Sequence, residues 1–516
     1  MFRKQSFWKG SALLLASAMT AKLLGACFKI PLTNVLGGTG MGYFSTAYGL
    51  LLPVYALSVT GLSAAVAQTV SRAAALEHWS EVRRIHHAAR LACGALGLLL
   101  SLCMFLLAEP FATQIAAQPH ALFSLLAIAP AALFGCLTAV ERGYWEGLQN
   151  MTPTALSQAL EAVAKLGFGL ALCMWVLRNP EVVCRWVPPE VPLSALAAAG
   201  AVLGVTLSTV LGWVYFLLHG LRRDTRLPSD DRPAAPVSQI FRRLLYVMIP
   251  VALGSLVTNL TSLLDLVTMM RCLGRVQMFH GAELAERFGA FAAQPDFPAF
   301  VYGSFTGMAI TVFNLVPSVT NMLGKSALPC AAALWAKQDC LGTAAHVRSV
   351  TGAAAAMAFP AAGGLWVLAE PVMHLLYAGR PEEAAIAAEA LRTLLPGMVC
   401  LCLTFPLCSV LQGIGRAGIP VLCMLAGGAV KLAGNLLLLI LWQLHRCLGV
   451  RLHLLRGLFP PAAAAACCTG AAWLCHTYAQ PLGMLLSAAA ASGVGCLVYL
   501  TVWGLLMRCR KRKALI

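Results

Sequence analysis

Charged residues are scarce in this sequence. Asp, Glu, Lys and Arg make up 11% of its 516 residues, against about a quarter in ordinary soluble domains. So low a charged fraction excludes a soluble enzyme. Hydrophobic residues make up 59%, and the mean hydropathy is +0.77. Because a transmembrane helix needs about 20 mostly apolar residues, the composition predicts an all-α, polytopic membrane protein.

Sequence patterns for metal binding and redox chemistry are also missing. No C-x-x-C pair and no group of histidines at ligand spacing occurs, so we predict no metal site and no cofactor. Many of the 19 cysteines lie inside apolar runs, where cysteine behaves as a small buried hydrophobe. Basic residues outnumber acidic ones by 37 to 20. In a membrane protein such an excess marks cytoplasmic loops, so we predict no nucleic-acid partner.

Thirteen apolar segments are long enough to cross a bilayer, within a range of 12 to 14. They lie near residues 11–34, 43–70, 88–108, 121–140, 152–177, 193–218, 244–270, 300–322, 349–369, 385–411, 418–441, 460–478 and 482–507. We divide the chain into an N-terminal transmembrane lobe (1–218), a basic cytoplasmic linker (219–243), a second transmembrane lobe (244–441) and a C-terminal region (442–516). That last region holds a linker, two helices and a basic tail.

Loop charge predicts a cytoplasmic N-terminus. The loop after the second segment holds Arg72, Arg83 and Arg84, and the linker holds six further arginines between residues 222 and 243. The loops at 35–42 and 109–119 hold no Lys or Arg. Lysine and arginine concentrate in cytoplasmic loops, so the first two regions lie inside and the last two outside. With thirteen spans, however, the basic C-terminal tail faces outward, against this rule.

The two halves of the chain resemble each other. Pro153 is followed by Ala162-Val163-Ala164-Lys165-Leu166, and Pro420 is followed by Ala429-Val430-Lys431-Leu432. A repeat of an even number of helices keeps its orientation in the membrane, so the repeats are related by an axis along the membrane normal. The sequence therefore predicts two pseudo-symmetric six-helix lobes.

Ionisable residues inside the apolar segments carry the functional signal, since each costs roughly 2.5 to 3.5 kcal/mol at mid-bilayer. The candidates are Lys22, Lys29, Lys165, Lys431, Glu161 and Asp265, with Asn259 in the polar stripe of the Asp265 segment and Arg271 at its rim. Four lysines against two carboxylates favour an anionic substrate such as a phosphate or pyrophosphate headgroup. The alternative is that Glu161 and Lys165 form a helix-stabilising pair while Lys29 and Asp265 extend to the interface.

Two further motifs have structural interpretations. The run Gly37–Gly42 follows a helical segment rather than a strand, which excludes a dinucleotide-binding loop and predicts a tight external turn. His86 and His87 have no carboxylate at catalytic spacing, so we assign them to a solvated basic helix.

Several stretches resemble the stage V sporulation protein B family. These stretches are Lys22–Gly25, Ile30–Gly37, Gly42–Gly49 and Thr60–Ala67 in the first half, and Ile249–Asp265, Leu315–Pro317, Ala369–Pro371, Leu411–Gly415 and Val430–Leu432 in the second. That family is a polysaccharide-export branch of the multidrug/oligosaccharidyl-lipid/polysaccharide flippase superfamily. The similarity covers residues 1 to about 441.

The resemblance implies two lobes around a central cavity, working by alternating access. Members of the branch move undecaprenyl-pyrophosphate-linked sugars, including lipid II, between the leaflets of the membrane. The resemblance assigns the pyrophosphate to Lys22 and Lys29, with Lys165, Lys431 and Arg271 behind them. Glu161, Asp265 and Asn259 tune these charges or respond to a coupling ion, H+ or Na+.

The sequence departs from the family in one place. Members usually have about fourteen spans, but between Trp442 and Pro460 only a short polar linker stands where a helix is expected. Three alternatives to a saccharide flippase therefore stay open: a drug or cation antiporter of the same superfamily, a membrane-embedded glycosyltransferase or ligase, and a paralogue that does not transport. The antiporter requires an acidic cavity, and the enzyme requires paired carboxylates or a large outer loop.

Overall fold

The structure is a computed structural model of the chain. It describes residues 7–185, 187–222, 236–279, 294–416 and 492–502, with short pieces at 284, 292, 418–420, 422–423, 426, 464–465, 467–469 and 471. The predicted linker between Trp442 and Pro460 lies outside these residues, as do most of the last three predicted spans. The described residues are nearly all helical and include no strand, which confirms the predicted all-α class.

The chain divides into two compact units, Met1–Gly307 and Met308–Ile516. The helices of the first unit are α1 (Phe7–Tyr55), α2 (Gly61–Ala75), α3 (Trp79–Leu106), α4 (Ala108–Pro110), α5 (Leu122–Gly147), α6 (Thr152–Arg178), α7 (Pro180–Cys184), α8 (Leu193–Arg222), α9 (Val237–Phe279) and α10 (Phe297–Ser304). π-Helical turns lie at Ala56–Thr60 and Phe111–Ile115, and a further one, Phe305–Ala309, follows α10.

The second unit contains α11 (Ile310–Phe313), α12 (Leu315–Ala336), α13 (Cys340–Leu376), α14 (Pro381–Gly413) and α15 (Ser492–Val502). The Asp339 carboxylate caps α13 by accepting from the Gly342 N–H at 2.7 Å. The Tyr499 hydroxyl of α15 donates to the carbonyl of Ala356 in α13 at 2.8 Å. Helix α9, which the sequence repeat assigns to the second lobe, lies in the first compact unit. The lobe boundaries themselves stay a prediction.

Helix length and surface both fit a membrane. Among the described residues, seven helical segments are long and apolar enough to cross a bilayer, or eight if the bent pair Phe297–Phe313 and Leu315–Gly324 is one span. Helix α3 exposes a row of large apolar side chains that includes Leu91, Leu98 and Leu102. Such a surface is unfavourable in water but matches lipid. The protein is therefore a multi-pass membrane protein.

Helix α1 is long because its predicted external turn is confined to one residue. Only Gly37 leaves the helical conformation, with φ 67° and ψ −177°, and residues 38–42 are helical again. Glycine reaches this positive φ without strain. A side chain on Gly303 of α10 would collide with the Gly38 carbonyl and the Gly42 nitrogen. These glycines let α10 lie directly against α1, and the prediction of a turn over Gly37–Gly42 is wrong.

Candidate functional site

Lys29 lies on α1 and points into the first unit. Its ammonium group donates to the backbone carbonyl of Thr306 at 2.8 Å. The Thr33 hydroxyl, one turn later on α1, donates to the Lys29 carbonyl at 2.7 Å. Lys29 is half-buried, so its charge is held inside the unit instead of extending to the interface.

The acceptor for Lys29 belongs to the π-helical turn Phe305–Ala309. A π turn changes the helical hydrogen-bond pattern, which gives side chains access to backbone groups that a regular helix would occupy. The Thr306 hydroxyl also lies 2.8 Å from the Ser45 hydroxyl and donates to the Tyr302 carbonyl at 2.8 Å. Hydroxyl and carbonyl oxygens therefore surround the Lys29 ammonium on this side.

Lys165 approaches the same part of α1 from α6. Its ammonium lies 5.4 Å from the ring centre of Phe28 and 4.8 Å from that of Tyr48. Tyr48 in turn stacks on Phe44, with ring centres 4.8 Å apart. A cation over an aromatic face is stabilised by about 0.5 to 2 kcal/mol. The two ammonium groups are near enough to repel each other electrostatically.

We call Lys29, Lys165, Phe28, Tyr48 and Thr306 the lysine cluster. Two of the lysines predicted from sequence are thus brought together, although they are far apart in the chain. Among the described residues, neither ammonium has a carboxylate within ion-pair distance. The buried Tyr48 hydroxyl also has no hydrogen-bond partner there. The cluster therefore offers two positive charges and a hydroxyl group to an anion.

Glu161 does not pair with Lys165, contrary to the alternative considered from sequence. Its carboxylate accepts from Arg142 Nη2 of α5 at 2.6 Å. Arg142 Nε also donates to the Ser157 hydroxyl at 3.1 Å. The side chains of Arg142 and Glu161 are mostly buried. Because Arg142 already compensates Glu161, this carboxylate leaves the charge of the lysine cluster in place.

The other predicted site residues lie elsewhere or outside the described part. Lys22 is exposed on α1, two turns before Lys29, and Asp265 is exposed on α9. Asn259 donates to the Ser255 carbonyl one turn earlier at 2.8 Å. Arg271 Nη2 donates to the Gln114 carbonyl at 2.8 Å, which ties the end of α9 to the Phe111–Ile115 turn. Lys431 lies outside the described residues.

The sequence analysis missed a second charged cluster between α3 and α5. The buried Glu141 carboxylate lies 3.2 Å from His86 Nε2 and 3.2 Å from Arg90 Nε. The His86 ring stacks on Tyr144, with ring centres 3.9 Å apart. His86 is therefore not simply solvated, as predicted. The signal was available, since helix α5 continues past the apolar run to Gly147 and carries Glu141 and Arg142 on that extension.

The donor set of the lysine cluster determines its chemistry. Ammonium groups, hydroxyls and aromatic faces bind and orient an anion, but they include no paired carboxylates or activated nucleophile. Among the described residues, no three His, Cys, Asp or Glu side chains converge as a metal site. The arrangement is suited to reversible binding of a charged group.

Comparisons with known proteins agree with this fold and composition. The family model described as "Polysaccharide biosynthesis protein" matches residues 7–335, which is more than half of the chain. Stage V sporulation protein B of Bacillus subtilis (strain 168) is 23% identical over 436 residues, covering 83% of this chain and 77% of that protein.

Two solved structures share the fold at low sequence identity. The lipid II flippase MurJ in an inward closed conformation matches with a TM-score of 0.64 and 12% identity, over 96% of this chain and 99% of that chain. An inward-facing multidrug resistance MATE family transporter of the MOP superfamily matches with a TM-score of 0.59 and 14% identity, over 97% and 98%. With the family match over residues 7–335, these results show that the chain belongs to the polysaccharide biosynthesis protein family and has the fold of polytopic membrane transporters.

Proposed function

We propose that this protein is a flippase that moves a polyprenyl-pyrophosphate-linked saccharide across the cytoplasmic membrane by alternating access. The cargo is a lipid II-like molecule or another polysaccharide precursor, used in the synthesis of cell wall, spore cortex or polysaccharide. The N-terminus faces the cytoplasm. The similarity to stage V sporulation protein B and the fold shared with a lipid II flippase support this proposal.

The lysine cluster is the observation that carries the proposal. A pyrophosphate diester is anionic, and a hydrogen bond between an ammonium and a phosphate oxygen is roughly twice as strong as one between neutral groups. Lys29 currently donates to a neutral carbonyl, and Lys165 rests on aromatic rings. Both contacts are weaker than a bond to phosphate, so both lysines can exchange them for the pyrophosphate when it arrives.

Helix α1 supplies the means for a reversible change in shape. Pro31 follows Lys29 by two residues, Pro53 precedes the Ala56–Thr60 π turn, and Gly37 breaks the helix between them. Proline and π turns are the usual causes of helix bending. A bend near Lys29 would change which side of the membrane its ammonium faces. Lys22, exposed two turns earlier, is proposed as a further anion contact.

A cation antiporter is less consistent with the same residues. That function needs a carboxylate ready to bind a cation, but Glu161 is bonded to Arg142 and Glu141 to Arg90 and His86. A coupling ion, H+ or Na+, remains part of the proposal, with Asp265 and Glu161 as its candidate sites. If Glu161 responds to this ion, its bond to Arg142 must open first.

The test measures flipping of a fluorescent polyprenyl-pyrophosphate-linked sugar in proteoliposomes that contain the purified full-length protein. We expect Lys29→Gln/Lys165→Gln to lower the initial rate at least about tenfold, because each lost charged hydrogen bond contributes about 1.5 to 3 kcal/mol. Lys29→Arg/Lys165→Arg, which keeps both charges, retains more activity. Lys22→Ala is measured separately.

The matched control is Lys337→Gln, which removes an exposed lysine from the turn before α13 and leaves the rate unchanged. Protein yield and melting temperature are compared first, so that misfolded variants are set aside. Full flipping by the Lys29/Lys165 double variant would overturn the anion-binding role. If wild-type protein moves an organic cation but not the pyrophosphate lipid, the antiporter replaces the proposed function.

A further inference from the structure

A second basic site lies in the first unit and shares no residue with the lysine cluster. It is a half-open pocket of about 640 Å³ between the end of α2, the start of α3 and the first turns of α9. Its charged lining comprises Arg72, Arg242, Arg243, Glu81 and the neighbouring His78. We call it the basic pocket. Its volume is in the usual range for small-molecule sites, about 300 to 1,000 Å³.

The charges in the basic pocket are unequally used. Arg243 Nη1 donates to Glu81 Oε1 at 3.0 Å, and His78 Nδ1 lies 3.6 Å from the other oxygen of Glu81. The one lining carboxylate is therefore already compensated. Arg72 and Arg242 make no hydrogen bond or ion pair within the described part of the chain. Two arginine side chains thus remain available for an anion.

Arginine favours a particular class of anion. Its planar guanidinium carries five donors in a fork that matches phosphate oxygens, and it is weakly hydrated compared with an ammonium group. The amides of Gln68 and Gln239 also line the basic pocket and add neutral donors. This donor set fits a phosphate ester better than it fits a carboxylate, which has only two oxygens.

The rim of the basic pocket distinguishes a lipid from free phosphate. Tyr246 is 82% exposed and Leu76 is 58% exposed, and both line the pocket. Tyrosine concentrates at the membrane–water interface, where its apolar ring meets lipid and its hydroxyl meets water. All three contributing helices also begin or end here. Free phosphate has no use for this apolar rim, whereas a phospholipid presents both a phosphate and apolar chains.

We propose that the basic pocket binds the headgroup of an anionic membrane phospholipid. Arg72 and Arg242 hold the phosphate, and Tyr246 and Leu76 contact the glycerol and the first acyl carbons. The proposal does not depend on which cargo the protein moves. Basic pockets between transmembrane helices are known to accommodate anionic headgroups. The bound lipid joins α2, α3 and α9 at this end of the unit.

The experiment is native mass spectrometry of the delipidated full-length protein, titrated with phosphatidylglycerol or with phosphatidylcholine. We expect wild-type protein to retain phosphatidylglycerol preferentially. Arg72→Gln/Arg242→Gln lowers the affinity for phosphatidylglycerol about thirtyfold, from roughly fivefold for each arginine near a lipid surface. Gln239→Arg adds a charge to the pocket and raises the affinity about fivefold, which a misfolded variant cannot imitate.

The control removes two arginines from other helix ends. Arg178→Gln/Arg185→Gln changes the net charge equally at exposed positions and leaves lipid binding unchanged. Equal retention of phosphatidylglycerol by the Arg72/Arg242 variant and the wild type would overturn the proposal. Inorganic phosphate is then added as a competitor. If millimolar phosphate displaces the lipid completely, the pocket is a free-phosphate site and the lipid assignment is wrong.

Discussion

At the scale of single residues, aromatic rings take the place that a carboxylate usually has beside a buried lysine. Lys165 lies over Phe28 and Tyr48, while Glu161, one turn before it on α6, is bonded to Arg142 instead. A carboxylate partner would neutralise the lysine and compete with an anionic ligand. The rings stabilise the ammonium group without cancelling its charge, so the site stays attractive to anions.

This arrangement predicts which pairs of residues are energetically coupled. In a double-mutant cycle with Arg142→Met and Glu161→Gln, we expect a coupling free energy of about 1 to 3 kcal/mol, because each single change leaves a mostly buried charge without its partner. The free energy of unfolding is measured by chemical denaturation in detergent micelles. The matching cycle with Lys165→Met and Glu161→Gln gives less than about 0.5 kcal/mol. A larger coupling to Lys165 than to Arg142 would contradict the geometry described above.

The charged residues of this site could be predicted from the sequence, but most of their partners could not. A lysine in an apolar run stands out because of the energetic cost of its charge, which identified Lys29 and Lys165. Glu161 and Lys165 are four residues apart and can pair on one helix. Whether they do depends on what α5 brings to the same face. Arg142 is near Glu161 only because α5 and α6 pack together, and helical periodicity does not encode that packing.

At the scale of helices, α6 and α8 approach each other through glycine. A side chain on Gly204 of α8 would collide with the backbone nitrogen of Gly169 on α6, and one on Gly169 would collide with the Phe28 ring. Small residues allow close helix packing in membranes, where the hydrophobic effect contributes little between helices. Gly169 lies one turn after Lys165 on α6. The crossing therefore fixes the helix that carries one lysine of the cluster.

We predict that Gly204→Val separates α6 from α8 and destabilises the protein. Overpacking of this kind costs about 1 to 3 kcal/mol in free energy of unfolding, and loss of flipping follows if Lys165 is displaced. Gly167→Ala is the matched control on α6, since nothing lies within 4 Å of the added carbon. Melting temperature in detergent measures both variants. A Gly204→Val protein as stable as the Gly167→Ala protein would show that this crossing is not close.

Hydrophobic runs predicted the positions of these helices better than their ends. The segments at 152–177 and 193–218 match α6 and α8 within a few residues. In contrast, α3 begins at Trp79, nine residues before the predicted segment at 88–108, and α5 continues seven residues beyond 140 to Gly147. A run of apolar residues shows where lipid surrounds a helix. It does not report the polar turns that extend beyond it.

At the scale of the whole molecule, the short turns between helices define which side of the membrane each loop occupies. Glu77 and Gln149 have positive φ angles of 59° and 58°, as does Ala117 at 51°, and each lies in a short connection between two long helices. Consecutive spans reverse direction, so Glu77 and Gln149 lie on one side and Ala117 on the other. The arginines near Glu77 assign the first side to the cytoplasm.

This assignment predicts the results of reporter fusions along the chain. Green fluorescent protein fused after Glu77 or Gln149 is expected to fluoresce in the cytoplasm. Alkaline phosphatase fused after Ala117 or Pro188 is expected to be active, because its disulfides form only in an oxidising compartment. A fully reversed pattern would place the N-terminus outside and the basic pocket on the outer face, contradicting the charge rule. Opposite sides for Glu77 and Gln149 would instead mean that α3 and α5 do not both cross the membrane.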